Sequence, residues 1–294
     1  MNKLLVIVNP AAGRGRARRE WPRIAERLRA CGVAFDAVET RAAGEGSGLA
    51  ERAAHEYGAV VAAGGDGTVH EVANGLLRAA TGAALGVLPL GSGDDFVKML
   101  PSRDPVERLA QGRPRAFDAG RIRAGGAIRY FSNGMDIGFG AHASRNVREV
   151  PAFLTGLGAY LGALALTLVR YPKHAVRLQL DGEPPFAQTT AMTAVMNGRA
   201  FGGSFHVCPE ARADDGLLDL LIADGIGRLA ILGLVPRIMR GTHGGDPRLR
   251  LTRARRVTIE SEEPLLVEAD GEIAFEAAHR LEIDVLPGAL RVLA

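Results

Sequence analysis

Only two cysteines, Cys31 and Cys208, occur in 294 residues, and they do not form a zinc-type pair. That excludes a disulfide framework and makes a reducing cytosol the simpler setting. Aromatic residues are scarce, at 5%, and do not interleave with basic runs, so a nucleic-acid surface is not expected. Charge of one sign is not in large excess either. A formal net charge of +3 does not make the whole molecule a strong polyanion binder, although arginine supplies most of the positive charge and clusters locally. The start of the chain lacks the long apolar region of a secretion signal and reads as a strand. Glycines are plentiful, yet none follow the GxGxxG spacing of a dinucleotide fingerprint, and the glycine-rich turn at residues 64–68 has no lysine, which excludes a Walker loop. One long uncharged run exists, residues 151–169, between Glu149 and Arg170. Its length is near the lower limit for crossing a bilayer, and Thr155, Gly156, Gly158, Gly162 and Thr167 dilute it. A buried or lipid-facing helix is the favoured reading, with a membrane span left open.

With 47% apolar residues, the chain can bury a large core and most plausibly two domains. Strands at residues 4–8, 33–38, 59–63 and 85–88 alternate with helices at 16–30, 48–57 and 69–79, and a short helix follows at 95–100. Trp21, Ile24 and Leu28 give the first helix one apolar face. This alternation predicts an α/β domain with a parallel sheet. Beyond residue 116 the texture changes to short strands at 117–123, 127–134, 175–180, 188–196 and 216–222. Further strands are expected at 257–260, 265–269, 273–275 and 281–286. They predict a mainly antiparallel β domain with helical insertions at 152–170 and 226–240.

The most informative segment is Gly64-Gly65-Asp66-Gly67-Thr68. It follows an apolar strand and leads into a helix, an arrangement that brings backbone N–H groups up to phosphate. Asp66 can hold a magnesium ion or polarise a water that does. A second glycine-rich loop, Gly91-Ser92-Gly93-Asp94-Asp95, follows the fourth strand. Both loops are expected at carboxyl ends of strands, where open α/β sheets bind ligands.

Four segments together resemble the diacylglycerol and sphingoid-base kinases, including the bacterial soluble lipid kinases. They are Asn9-Pro10-Ala11-Ala12-Gly13-Arg14-Gly15, the Gly64 to Thr68 turn with Val69, His70 and Glu71, the second glycine loop, and Asp270-Gly271-Glu272. The resemblance spans nearly the whole chain and implies an ATP- and Mg²⁺-dependent lipid kinase. It implies a nucleotide domain at residues 1–122, rejoined by about 285–294, and a lipid-substrate domain at 123–284. The nucleotide would lie against Asn9, Pro10, Ala11, Ala12, Gly13, Arg14, Thr40, Gly65, Asp66, Gly67, Thr68, Val69, His70, Glu71, Ser92 and Asp95. Asp66, Asp95 and Asp118 form the acidic set around the nucleotide magnesium. Glu272 is implied as the proton-abstracting carboxylate, beside Asp66 as the second catalytic residue. A structural magnesium is implied at Asp215, with the backbone carbonyls of Arg212 and Leu217. Ser92 and Asp94 stand where the family commonly has threonine and asparagine, and His70 where it commonly has asparagine. Asp94 puts a second negative charge beside Asp95, so the pair must hold a cation or repel.

Diacylglycerol is the default substrate, with phosphatidylglycerol, a sphingoid base or ceramide open to the same machinery. A nicotinamide-nucleotide kinase shares the GGDG turn and is the rival enzyme. A non-catalytic lipid-binding regulator is the rival outside enzymes. The apolar stretches 152–169 and 229–239, with Arg237, Arg240, Arg248, Arg250, Arg253, Arg255 and Arg256 opposed nearby in sequence only by Asp246, suggest peripheral docking on an anionic membrane. A cytoplasmic, peripherally membrane-associated protein is expected, and a homodimer is left open.

Overall fold

Leu4–Val8 (β1) is almost continuously buried, as a central parallel strand must be when both faces are covered. In the computed structural model it is flanked by Phe35–Glu39 (β2) and Ala59–Gly64 (β3), both parallel to it, and Ala84–Pro89 (β4) continues the sheet beyond β3. The structure describes residues 3–101, 103–150, 157–170, 173–203 and 205–294. The chain divides into two units, Met1–Ala119 with Pro287–Ala294, and Gly120–Leu286.

In the first unit, Ala12–Ala30 (α1) follows β1, Glu45–Ala53 (α2) follows β2, and Asp66–Ala79 (α3) follows β3. The core lies between sheet and helices and includes Val6, Val8, Leu28, Val61, Leu88 and Leu109. The sequence places the second helix at 48–57, but it ends at Ala53 because Tyr57 turns away to donate its hydroxyl to Asp36 at 2.7 Å. The third helix starts three residues earlier than its apolar pattern, at Asp66, because Gly65 is extended and its carbonyl accepts the N–H groups of Thr68 and Val69. The short helix at Phe96–Met99 is of the 3-10 type. Pro105–Gln111 (α4), capped by Asp104, is too short to show a period and was not expected.

Pro114–Ala124 (β5) leads into the second unit, where Ala127–Phe131 (β6) and Gly134–Gly138 (β7) follow. The expected single strand at 127–134 is thus two, because a carboxylate from far along the chain captures the amides of Ser132, Asn133 and Gly134. Phe139–Asn146 (α5) and Leu157–Arg170 (α6) come next, joined by Asn146 Nδ2 donating to the buried Thr167 Oγ1 at 2.8 Å. Among the described residues no helix is long and apolar enough to cross a membrane, and residues 151–156 of the uncharged run lie outside them.

The remaining elements are His174–Leu180 (β8), Phe186–Met196 (β9), Leu218–Asp224 (β10), Arg228–Met239 (α7), Leu249–Ala254 (β11), Arg256–Ala269 (β12) and Glu272–Leu293 (β13). β9 and β12 pair with their neighbours in antiparallel fashion, β9 with β10, β7 and β8, and β12 with β13, β7 and β8. β12 and β9 each change partner along their length, from β8 at one end to β7 at the other. β13 is one strand where the sequence suggests two, its register on β12 shifting between Glu260 and Leu265 and again before Glu268. Bulges break the alternation from which a strand is read. The chain therefore consists of an N-terminal α/β domain and a mostly β C-terminal domain with helical insertions.

Candidate functional site

Three loops leave the carboxyl ends of β1, β3 and β4 and are bonded to one another. Asn9 donates its backbone N–H to Ala63 O at 3.0 Å and its Nδ2 to Thr68 Oγ1 at 3.1 Å, and Leu90 N–H reaches Gly64 O at 2.8 Å. Thr40 N–H bonds Val8 O at 2.9 Å, which sets Thr40 beside the Asn9 loop. A Cβ on Gly91 would lie 2.4 Å from Gly65 Cα, and one on Gly13 would lie 2.4 Å from Leu90 O. Only glycine permits backbones this close. Gly13, Arg14 and Gly15 are all left-handed, with φ of 56°, 56° and 80°, so α1 begins as a bent turn holding Pro10, Ala11 and Ala12 before its regular part. The start of α3 points into this assembly, and the unpaired N–H groups of a helix start attract anions.

Asp66 heads α3, and its Oδ1 accepts Asp95 N–H at 2.6 Å and Phe96 N–H at 3.4 Å. Burial, then the charges of Asp95 and Asp94, push its carboxyl up to about 6 against the pull of those two amides. Asp94 takes a left-handed φ of 49° and closes its loop by accepting Gly91 N–H at 3.1 Å. Asp94, whose role the sequence leaves open, thus fastens its own loop. Asp95 is buried and is paired with Lys98 Nζ at 2.5 Å, whereas Ser92 is exposed on the same loop.

Other expected contact residues also bond within the scaffold. Glu71 accepts Gly44 N–H at 2.7 Å on one oxygen and Gly46 N–H at 2.8 Å on the other, fastening the start of α2 to α3. His70 accepts Asn74 Nδ2 on its carbonyl at 3.0 Å, and Val69 is buried. Asp118 is buried and accepts Gly288 N–H at 2.8 Å, while its neighbour Phe117 packs 6.4 Å from the ring of Phe96. Asp118 thus belongs to a strand that touches the segment after Asp95.

In the second unit Asp270 and Gly271, with φ of 52° and 91°, make a two-residue turn between β12 and β13, and Ala269 faces Glu272 across it. Asp270 is the carboxylate that splits β6 from β7: it accepts Ser132 N–H at 2.8 Å, Asn133 N–H at 2.8 Å, Gly134 N–H at 3.0 Å and Ser132 Oγ at 3.1 Å. Glu272, exposed at the first position of β13, lines a cavity of about 280 Å³ with Arg145, Ile273, Ala274, Phe275 and Glu276. Arg145 gave no signal in the sequence because it lies on an unexpected helix.

At the remaining expected metal position, Asp215 Oδ1 accepts Leu217 N–H at 3.1 Å, and Arg212 pairs with Asp214 at 3.4 Å. Among the described residues no group of three His, Cys, Asp or Glu side chains could hold a metal. The basic region also differs from its sequence reading. Arg237 and Arg248 share Asp246, Arg253 pairs with Asp219, Arg256 pairs with Asp284, and Arg250 stacks over Phe186. For Arg253 and Arg256 the opposing carboxylate is distant in sequence and is brought opposite by a neighbouring strand.

Residues 3–122 match the diacylglycerol kinase catalytic domain, and residues 133–294, more than half of the chain, match the YegS C-terminal NAD kinase beta sandwich-like domain. The chain belongs to the diacylglycerol kinase and YegS-like family of bacterial lipid kinases. Within this lipid kinase family, a diacylglycerol kinase of Mycobacterium tuberculosis is 30% identical over 100% of this chain and 95% of its own length. A probable YegS-like lipid kinase of Pseudomonas aeruginosa is 35% identical over 82% of this chain and 78% of its own. A crystal structure from Bacillus anthracis strain Sterne, a candidate diacylglycerol kinase, covers 99% of this chain and 96% of its own with a TM-score of 0.80 and 24% identity, a likeness of fold.

Proposed function

We propose that this lipid kinase transfers the γ-phosphate of ATP to the hydroxyl of a lipid alcohol, with diacylglycerol as the default acceptor. The observation that carries the reading is the bonding of three glycine-bearing loops around the start of α3, with Asp66 at its head. Glycine backbones and a helix start suit triphosphate, and Arg14, exposed on the first loop, adds a guanidinium fork.

The reading includes Mg²⁺, held by one or two carboxylates together with the phosphates, since no ready-made cluster of three exists among the described residues. Asp66 is raised to about 6 by burial and by its two acidic neighbours, an excess of negative charge that a cation would relieve. Asp66 would hold the ion, with Asp95 and Asp118 as further oxygen donors, and the bound ion would offset charge developing on the phosphates. Glu272 accepts the lipid hydroxyl proton as that oxygen bonds to the γ-phosphorus, and ADP leaves as the bond to the β-γ bridging oxygen breaks. Ile273, Ala274 and Phe275 give the cavity beside Glu272 an apolar wall suited to lipid. Asp215, with the carbonyls of Arg212 and Leu217, is the proposed oxygen set for a second, structural Mg²⁺.

Substrate delivery is proposed to use α7, where Leu229 and Leu232 are 83% and 54% exposed, with Arg228 and Arg240 exposed near its two ends. The test is purified protein with labelled ATP and Mg²⁺ against diacylglycerol, phosphatidylglycerol, a sphingoid base, ceramide and nicotinamide dinucleotide. Label entering one lipid alcohol is the expected result. Label entering only the dinucleotide, or ATP binding without transfer to any acceptor, overturns the proposal.

A further inference from the structure

Behind the turn that bears Glu272 lies a second pair of carboxyl groups. Asp136 of β7 and Glu268 of β12 face each other in antiparallel register, and they are only 0% and 2% exposed. Two carboxylates at such range in an apolar interior cannot both be ionised without strong repulsion. Neither oxygen of Asp136 receives a hydrogen bond from a described N–H or O–H donor, the amides of Gly140 and Ala141 at the start of α5 facing it without closing. A single proton on one carboxyl, donated to the other, would remove the repulsion and satisfy the orphaned oxygens of Asp136. The seat is tight, since a Cβ on Gly140 would fall 2.4 Å from Asp136 Oδ2. Glu268 in turn accepts the N–H of Gly271, the residue immediately before Glu272.

We propose that Asp136 is a positioning residue: through one shared proton it fixes the Glu268 carboxyl on the Gly271 amide, and so sets the direction in which Glu272 leaves the turn. The effect on turnover rests on the role given to Glu272 above, whereas the proton sharing stands independently of it. The groups facing the pair come from three elements and the turn. β12 supplies Glu268, and the turn supplies Asp270, whose charge acts on Glu268. β9 places uncharged Ala194 opposite Asp136. α5 offers two amides, while its His142 stacks on His174 and its Arg145 reaches Glu276. Burial first raises Asp136 to about 7, and burial and then the Asp136 charge raise Glu268 well above the usual carboxylate range. Because both folded values exceed the unfolded ones, the contribution of the pair to stability is complete below the ordinary carboxylate range and is lost as pH rises through about 7 and beyond.

Four measurements test this. Infrared spectra of wild type at pH 6 should contain a protonated-carboxyl band that Asp136→Asn removes. Hydrogen exchange at the Gly271 amide should be slow in wild type below pH 7 and accelerate above it by more than base catalysis explains. In Asp136→Asn, whose amide donates permanently to Glu268, protection should persist, and the melting temperature should rise relative to wild type as pH increases. Asp136→Ala should speed Gly271 exchange about tenfold, the equivalent of one ordinary hydrogen bond. Its kcat should fall about 10²-fold with the KM for ATP unchanged, the cost of a roughly 1 Å misplacement, and Asp136→Asn should recover most of that loss. A wild type without the protonated band, or an Asp136→Asn that loses Gly271 protection, refutes the shared proton even if the alanine variant does not fold. Lost protection with unchanged turnover refutes the positioning role. Should Glu272→Gln itself keep wild-type turnover, the fault lies in the role assigned to Glu272, and the infrared and exchange results still decide the pair.

Discussion

Asp66 and Glu272 are both acidic residues beside glycine turns, yet their surroundings differ, in keeping with the different work proposed for them. Asp66 is partly buried, bonded to two amides and crowded by acidic neighbours, whereas Glu272 is exposed beside a cavity lined by Arg145, Glu276 and three apolar residues. Asp66→Asn keeps an oxygen for the Asp95 and Phe96 amides, so the loop should hold its shape while turnover at saturating Mg²⁺ falls by about 10²-fold or more. Near-normal turnover would remove the metal role. Glu272→Gln should bind ATP in calorimetry as wild type does while kcat falls by roughly 10² to 10⁴. Weaker ATP binding with intact kcat would move Glu272 to the nucleotide pocket. The sequence pointed to both residues through short motifs, but it could not show that Glu71 and Asp118 are held by backbone amides, because Gly44 and Gly288 are brought to them only by folding.

At the scale of elements, the β12–β13 turn is held by side chains rather than by its own backbone alone. Asp270 accepts three buried amides and a hydroxyl from residues 132–134. Replacing it with alanine leaves those amides without an acceptor, and at about 1 to 3 kcal/mol for each buried unsatisfied group the variant should lose about 3 kcal/mol or more of stability. Denaturant unfolding measures this, and a loss below about 1 kcal/mol would show that water or a shifted backbone replaces the carboxylate. The Asp-Gly pair was legible as a hairpin turn because both positions favour positive φ. Its second job as a clamp was not legible, since its partners lie more than 130 positions away. The parallel strands β1, β3 and β4 of the first unit were legible for the opposite reason: each is a short, continuously apolar run beside helices with their own period.

For the whole molecule, net charge is a poor guide to membrane affinity, because several arginines of the 237–256 region are paired within the fold. The exposed leucines of α7 with Arg228 and Arg240 are the surface proposed above for anionic lipid. Binding to anionic vesicles should exceed binding to neutral ones and weaken as salt rises. Arg228→Gln with Arg240→Gln should lower that affinity by up to about 2 kcal/mol, while Leu229→Ser with Leu232→Ser should weaken binding to both vesicle types. Cosedimentation at low and high salt reads these differences. Equal binding to both vesicle types by wild type would discard the electrostatic part.

By itself the sequence determined the alternation of strands and helices in the first unit, the antiparallel character of the second, and the glycine turns that bear Asp66 and Glu272. Each is a local property, fixed by side-chain periodicity or by the backbone freedom of one or two residues. Only the tertiary structure decided which backbone amides and side chains the carboxylates meet. Asp94 closes its own loop on Gly91, Asp270 captures the amides of residues 132–134, and Glu268 meets Asp136 across a strand pair. Whether a carboxylate binds a neighbouring amide, an arginine or a proton depends on what folding places within about 3 Å of it, and that distance is not encoded in any short stretch of chain.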